Sequence, residues 1–307
     1  MAARRALAVN GRQYALPRRP TVAICIDGNE EAYLTAARAA NRMPNLDRII
    51  ERTGAGSYGL VRTAMPTFTN PNNMSIATGV SPAEHGICGN YFFDGEREVM
   101  MNEPSLLRCG TVFAAMAAAG LPVHVVTAKH KLLRMLMHGV TQPNCLGFSA
   151  ETCNTDSSAL DNLRVSLPNA DQIDSVSALV GYDEPPHIYD PQCSLFVLEA
   201  GPAILSASQS KASLTYLTTS DFVQHKWAPG EEPANDFYAG IDAAVGALDN
   251  MGAIVGMCAD HGMSPKSRAD GSPNVVGKAR CCNVGDVWHC RCIWRLRWRR
   301  KDSTTAE

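Results

Sequence analysis

Three predicted strands each deliver a carboxylate at their carboxyl end. The apolar, β-branched run from Thr21 to Ile26 is followed by Asp27, the run from Leu214 to Thr219 by Asp221, and the run from Ala253 to Cys258 by Asp260 and His261. Asp221 and His225 are four residues apart, so a helical turn opened by Asp221 puts both side chains on one face, able to grip one cation. Asp260 and His261 are adjacent, where a turn lets neighbouring side chains diverge toward corners of one site. A mixed carboxylate and imidazole set suits zinc or manganese better than calcium or magnesium. Taken singly, each Asp also fits a turn former or a cap. Their shared placement at strand exits favours a dinuclear metal site.

A nucleophile is available in Met65-Pro66-Thr67-Phe68-Thr69-Asn70-Pro71-Asn72-Asn73. Pro71 suits the first turn of a helix, which places Thr69 near an N-terminal end whose unpaired backbone N–H groups favour an anion. A hydroxyl there can be metal-bound and aimed at phosphorus. Thr69 also reads as a simple helix cap, and Thr67 is the alternative nucleophile.

Positioning these groups requires an α/β fold. Apolar runs of strand length alternate with amphipathic stretches, the pattern of a mainly parallel sheet sandwiched by helices. In open sheets of this kind ligands bind beyond the carboxyl ends of the strands. Helices are predicted over 31–40, 44–52, 71–78, 111–119, 191–207 and 234–250. Residues 130–190 carry weaker periodicity and several prolines, which leaves room for a small inserted cap. The charge-free stretch from Cys109 to Ala128 is as long as a membrane span, but Gly120-Leu121-Pro122 divides it into a helix and a strand over 123–127. No span is predicted. The apolar run after Arg4-Arg5 is too short for an export signal, so a cytoplasmic protein is expected.

The chain has 307 residues, 45% hydrophobic and 19% charged, with a net charge of −2. That composition describes a globular protein and gives no reason to expect nucleic acid as a partner. Eleven cysteines without a C-x-x-C pair indicate neither a disulfide framework nor a zinc ribbon. Four of them (Cys281, Cys282, Cys290 and Cys292) crowd a tail that also holds Trp288, Trp294, Trp298 and a basic run. Composition changes abruptly near Gly277, as a frame change or truncation would produce, so a core over 8–277 and an unpatterned tail over 278–307 are expected. Gly54-Ala55-Gly56-Ser57-Tyr58-Gly59 fits G-x-G-x-x-G but follows a predicted helix, the reverse of a dinucleotide-binding context. His85 reads as a structural hydrogen-bonding residue.

The ordered segments Ile26-Asp27-Gly28, Met65 to Gly79, Ser81 to Ile87, Ser220 to His225 and Ala259 to Met263 resemble the alkaline phosphatase superfamily, in its nucleotide pyrophosphatase/phosphodiesterase branch. Within that branch the Thr-Asn-Pro-Asn-Asn segment, Cys88-Gly89-Asn90-Tyr91 and Thr127-Ala128-Lys129-His130-Lys131 are most similar to the phosphonoacetate hydrolase family. The resemblance implies an alkaline-phosphatase-like core and zinc-dependent cleavage of the carbon–phosphorus bond of a small phosphonate, with a phospho-threonine intermediate. It implies two zinc ions. Asp27, Thr69, Asp260 and His261 would surround one, and Asp221 and His225 would hold the other. Thr69 would be the nucleophile, Asn90 would meet a phosphonate oxygen, and Lys129 and Lys131 would meet the rest of the substrate. By their own local sequence the two lysines also read as solvated groups at a strand end. The family supplies a further histidine to the second zinc from beyond the Asp-His-Gly motif, and His289 sits in no matching motif. A phosphodiesterase or pyrophosphatase of the same branch, and an inactive remnant with an incomplete second site, are the alternatives. A homodimer is compatible with the resemblance.

Overall fold

The computed structural model describes residues 6–52, 56–167, 173–208, 210–274 and 292–294. A five-stranded sheet of β1 (Thr21–Cys25), β2 (Val123–Thr127), β3 (Leu146–Ser149), β4 (Leu214–Thr218) and β5 (Ile254–Cys258) runs in the order β5-β1-β4-β2-β3. Every neighbouring pair is parallel. Strands buried on both faces need apolar residues at nearly every position, which is why these runs are continuous rather than alternating.

Alternate residues nevertheless sort by face. Val22, Ile24 and Ile26 enter one core with Val126, Leu217, Val255 and Met257, while Cys25, Val123, Val125 and Tyr216 enter the other. Helices Glu31–Ala39, Pro44–Glu51, Pro191–Ser208 and Glu232–Asn250 cover the first face through side chains such as Leu34, Leu46, Phe196 and Ile241. Thr69–Thr78, Val112–Ala118 and His130–Leu136 cover the second through Met74, Phe113 and Leu132. Each fully buried side chain of this size contributes about 1.5–3 kcal/mol over its exposed state.

Between Cys109 and Ala128 the chain forms the Val112–Ala118 helix, a turn with Gly120 at φ +87°, and β2. Thr111 caps that helix by accepting from Ala114 N at 3.0 Å. Among the described residues no helix is long and apolar enough to cross a membrane. The stretch 130–190, where a cap is expected, contributes the edge strand β3 and the helices Ser157–Ser166 and Val176–Val180. Leu163, Leu167 and Val176 are buried in the first core with the rest. Short antiparallel pairs join Ala6–Val9 to Arg12–Ala15, Tyr91–Phe93 to Glu98–Met100, and Tyr58–Val61 to Cys292–Trp294. Residues 275–291 and 295–307, with the boundary at Gly277 and His289, lie outside the described residues.

Candidate metal centre

Strand register brings the site together. Cys258, Cys25, Thr218, Thr127 and Ser149 form one row of partners across the sheet. Asp260, Asp27 and Lys129 therefore stand two residues past that row, and Asp221 stands three past it. The Asp27 turn is fixed by its backbone N–H, which donates to Thr219 Oγ1 at 3.0 Å. Gly28 follows at φ +70°, and a Cβ there would lie 3.0 Å from Asp221 Cβ. Only glycine allows both that backbone conformation and the close approach of the two strand exits.

Asp27, Asp221 and His261 bring one ligand atom each to within 4.8 Å of one another. His261 Nε2 lies 3.1 Å from Asp27 Oδ1 and 3.3 Å from Thr69 Oγ1. Its Nδ1 faces Gly262 O at 3.0 Å, which aims Nε2 into the site. Apart from this ion pair, Asp27 Oδ1 is a buried oxygen without a hydrogen-bond partner. Burial opposes a charged His261, but the Asp27 and Asp260 carboxylates outweigh it and hold the ring pKa up at about 10. An unpartnered buried carboxylate oxygen, an imidazole nitrogen and a second carboxylate suit a divalent cation, whose charge would replace that proton. The residues present fit a metal of the zinc type.

Asp260 stands behind this group and is fully buried. Its Oδ1 accepts from Gly28 N at 3.2 Å and from His261 N at 2.9 Å, and its Oδ2 accepts from Asn73 Nδ2 at 3.0 Å. Desolvation first, and the neighbouring Asp27 carboxylate second, push its pKa well above the usual carboxylate range. A nearby cation would reverse that shift.

The second group is more open. Asp221 Oδ2 lies 3.0 Å from His225 Nε2, one helical turn on, and its Oδ1 lies 3.7 Å from Lys129 Nζ. Asp27, Thr69, Asn90, Lys129, Lys131, Asp221 and His225 share one cleft of about 320 Å³. Asn90 is fixed there because its carbonyl accepts from Met101 N at 2.8 Å, and Met101 O in turn accepts from Asn70 Nδ2 at 3.0 Å. Thr69 opens the Thr69–Thr78 helix, two residues earlier than the sequence predicts, and lines the cleft while Thr67 does not. The two expected ligand groups adjoin, since Asp221 of one reaches Asp27 and His261 of the other.

Sequence reasoning did not single out Asn73 and Tyr216 behind the site, or Tyr189 and Phe222, whose rings lie 6.3 Å apart on the cleft wall. Asn73 is visible only as the end of the Asn-Asn pair, and Tyr216 only as a strand residue. His85 has the structural role expected of it: its Nδ1 accepts from Ile87 N at 3.1 Å, and its Nε2 meets Ser75 Oγ at 3.1 Å.

Comparison with known proteins adds four matches. The family profile described as Type I phosphodiesterase / nucleotide pyrophosphatase matches residues 21–278. The crystal structure of phosphonoacetate hydrolase from Sinorhizobium meliloti 1021 with phosphonoformate is 44% identical at a TM-score of 0.79, over 89% of this chain and 63% of that one. The same enzyme with phosphonoacetate is 43% identical at a TM-score of 0.79, with the same shares covered. This chain thus spans less than two thirds of the length of the hydrolase it matches. Alkaline phosphatase PafA is 17% identical at a TM-score of 0.56, covering 81% of this chain and 64% of that one, and shares the fold.

Proposed function

Because the chain belongs to the type I phosphodiesterase / nucleotide pyrophosphatase family, we propose that it is a metal-dependent hydrolase cleaving the carbon–phosphorus bond of phosphonoacetate. The observation that carries this reading is the meeting, in one cleft, of the Thr69 hydroxyl, a cation donor set and two lysines. The 44% identity to an enzyme crystallised with phosphonates supports the choice of substrate.

Asp27, Asp260 and His261 on one side, and Asp221 and His225 on the other, would hold two zinc ions. When bound, such a pair supplies Lewis acidity on both sides of a displacement at phosphorus and lowers the pKa of a nearby hydroxyl. Thr69 loses its hydroxyl proton and attacks phosphorus, its oxygen forming the new bond as the carbon–phosphorus bond breaks. The electron pair leaves on carbon, where a carboxylate neighbour spreads it as an enolate, and a proton from solvent, matching the one Thr69 released, gives acetate. Lys129 and Lys131 present ammonium groups where that negative charge grows. Asn90 orients a phosphonate oxygen, and the helix opening at Thr69 adds backbone N–H groups toward the anion. Water then attacks the phospho-threonine, freeing phosphate and restoring the hydroxyl.

A second reading, cleavage of phosphodiesters, is favoured by the aromatic wall of Tyr189 and Phe222, which suits a larger ester group. Turnover of phosphonoacetate against bis(p-nitrophenyl) phosphate, with zinc added, separates the two. Acetate release is expected, and cleavage of the diester alone would sink the phosphonate assignment. Bound zinc per chain tests the inactive alternative. One tight equivalent at the Asp27 group and a weaker second at Asp221 and His225, which offer two protein ligands where a catalytic site has three, are expected, and fewer than one would favour a non-catalytic protein.

A further inference from the structure

Behind the cleft lies a buried chain of hydrogen bonds that ends on Asp260, one of the residues proposed to hold a cation. The Tyr216 hydroxyl donates to Asn73 Oδ1 at 2.7 Å. Asn73 Nδ2 donates to Asp260 Oδ2 at 3.0 Å and to Thr69 O at 3.1 Å. Tyr216, Asn73 and Asp260 are all fully buried. The orientation of the amide follows from its partners. A carbonyl oxygen and a carboxylate both require donors, so the NH₂ group must face them, which leaves the Asn73 oxygen to the Tyr216 hydroxyl. Each polar atom of the Asn73 side chain thus has a partner, and no second arrangement satisfies all of them.

The geometry of this amide is unusual for a helix. An Asn side chain that turns back to the carbonyl four residues earlier is a common local device, but here the second N–H of the same group crosses to the exit of β5. One rigid planar group therefore spans from the backbone of the nucleophile-bearing residue to the carboxylate that holds the Gly28 and His261 backbones. It ties Asn73 to a residue 187 positions away in the chain. Tyr216 is held in turn by packing, its ring centroid 5.2 Å from that of Phe113.

We propose that Asn73, oriented by Tyr216, is a positioning residue that sets the distance between Thr69 and the Asp27–Asp260–His261 group. The proposal rests on the metal-centre reading above but not on the choice of substrate. Loss of such an outer partner typically weakens metal binding about 10- to 100-fold.

The test measures zinc affinity by competition with a chromogenic chelator for the wild type, Asn73→Ala, Tyr216→Phe and the double variant, with melting temperatures of the zinc-free proteins alongside. Tyr216→Phe keeps the ring against Phe113, so it folds even where Asn73→Ala does not. Zinc affinity is expected to fall at least about tenfold in both single variants, and in the double variant no further than in Asn73→Ala, because both act through one amide. Zinc affinity unchanged in Tyr216→Phe, or losses that add in full, would overturn the proposal. If the wild type binds zinc tightly yet does not cleave phosphonoacetate, the substrate reading fails while this comparison still decides the role of Asn73.

Discussion

The Thr69 hydroxyl lies 3.3 Å from His261 Nε2, although the two residues are 192 apart in sequence. A helix start and a strand end face each other across the cleft, so a neutral hydroxyl sits where a cation would reach it. Thr69→Ala should lower kcat at least about a thousandfold, as loss of a nucleophile does, while Thr69→Ser retains measurable turnover. Thr67→Ala is the control, and near-normal activity of Thr69→Ala would move the nucleophile elsewhere.

Removal of metal should lower stability as well as activity. A ligand at 100 times its Kd adds about 2.7 kcal/mol to the folded state. Chelation is therefore expected to lower Tm and added zinc to restore it. Asp27→Asn replaces a charged donor by a neutral amide and should shrink the zinc-dependent rise in Tm to what an ion at Asp221 and His225 supplies. A rise as large as that of the wild type would place the stabilising ion outside the Asp27 group.

Much of this arrangement is written locally in the chain. β1, β4 and β5 are runs of β-branched and apolar residues that end in Asp, so both their identity and their exits are legible. β3 is not, because Leu146–Ser149 is four residues with a glycine inside and offers no periodicity. The nucleophile helix is predicted to start at Pro71 but starts at Thr69. A proline has no N–H to lose anywhere in the first turn, so it marks that turn without fixing its first residue. The Tyr216–Asn73–Asp260 chain is hidden for another reason. Each residue looks ordinary among its neighbours, and only parallel strand register brings them together.

Gly28 has no tolerance for a side chain. An alanine there would keep a φ of +70° and press its Cβ to 3.0 Å from Asp221 Cβ. Gly28→Ala should cost about 1–3 kcal/mol of stability and weaken zinc binding by displacing Asp221, as urea unfolding and chelator competition would read. Full zinc affinity in a destabilised variant would mean that the contact affects folding alone.

His124 supplies a pH dependence unrelated to the site. Burial alone holds its pKa down at about 4 from an ordinary 6.5, and Nδ1 meets Thr215 Oγ1 at 3.2 Å. Because the folded-state value is depressed, the neutral ring's contribution is present above pH 6.5 and is lost as pH falls from 6.5 toward 4. A shift of this size amounts to about 3 kcal/mol. His124→Asn should flatten the fall in stability across that window, and an unchanged profile would assign the acid sensitivity to other groups.

The two lysines should separate by their effect on metal. Lys131 is an exposed lining residue of the cleft, so Lys131→Ala should raise KM for phosphonoacetate about tenfold, the loss of one charge-assisted contact. Its KM for a diester without a carboxylate should stay the same. Lys129 also stands 3.7 Å from Asp221 Oδ1, where its positive charge opposes a cation on the same carboxylate. Lys129→Ala should therefore raise KM for phosphonoacetate while zinc is held more tightly, two effects of opposite sign from one substitution. Weaker zinc binding in that variant would show that Lys129 supports the Asp221 carboxylate rather than competing for it, and its placement as a substrate contact would fail.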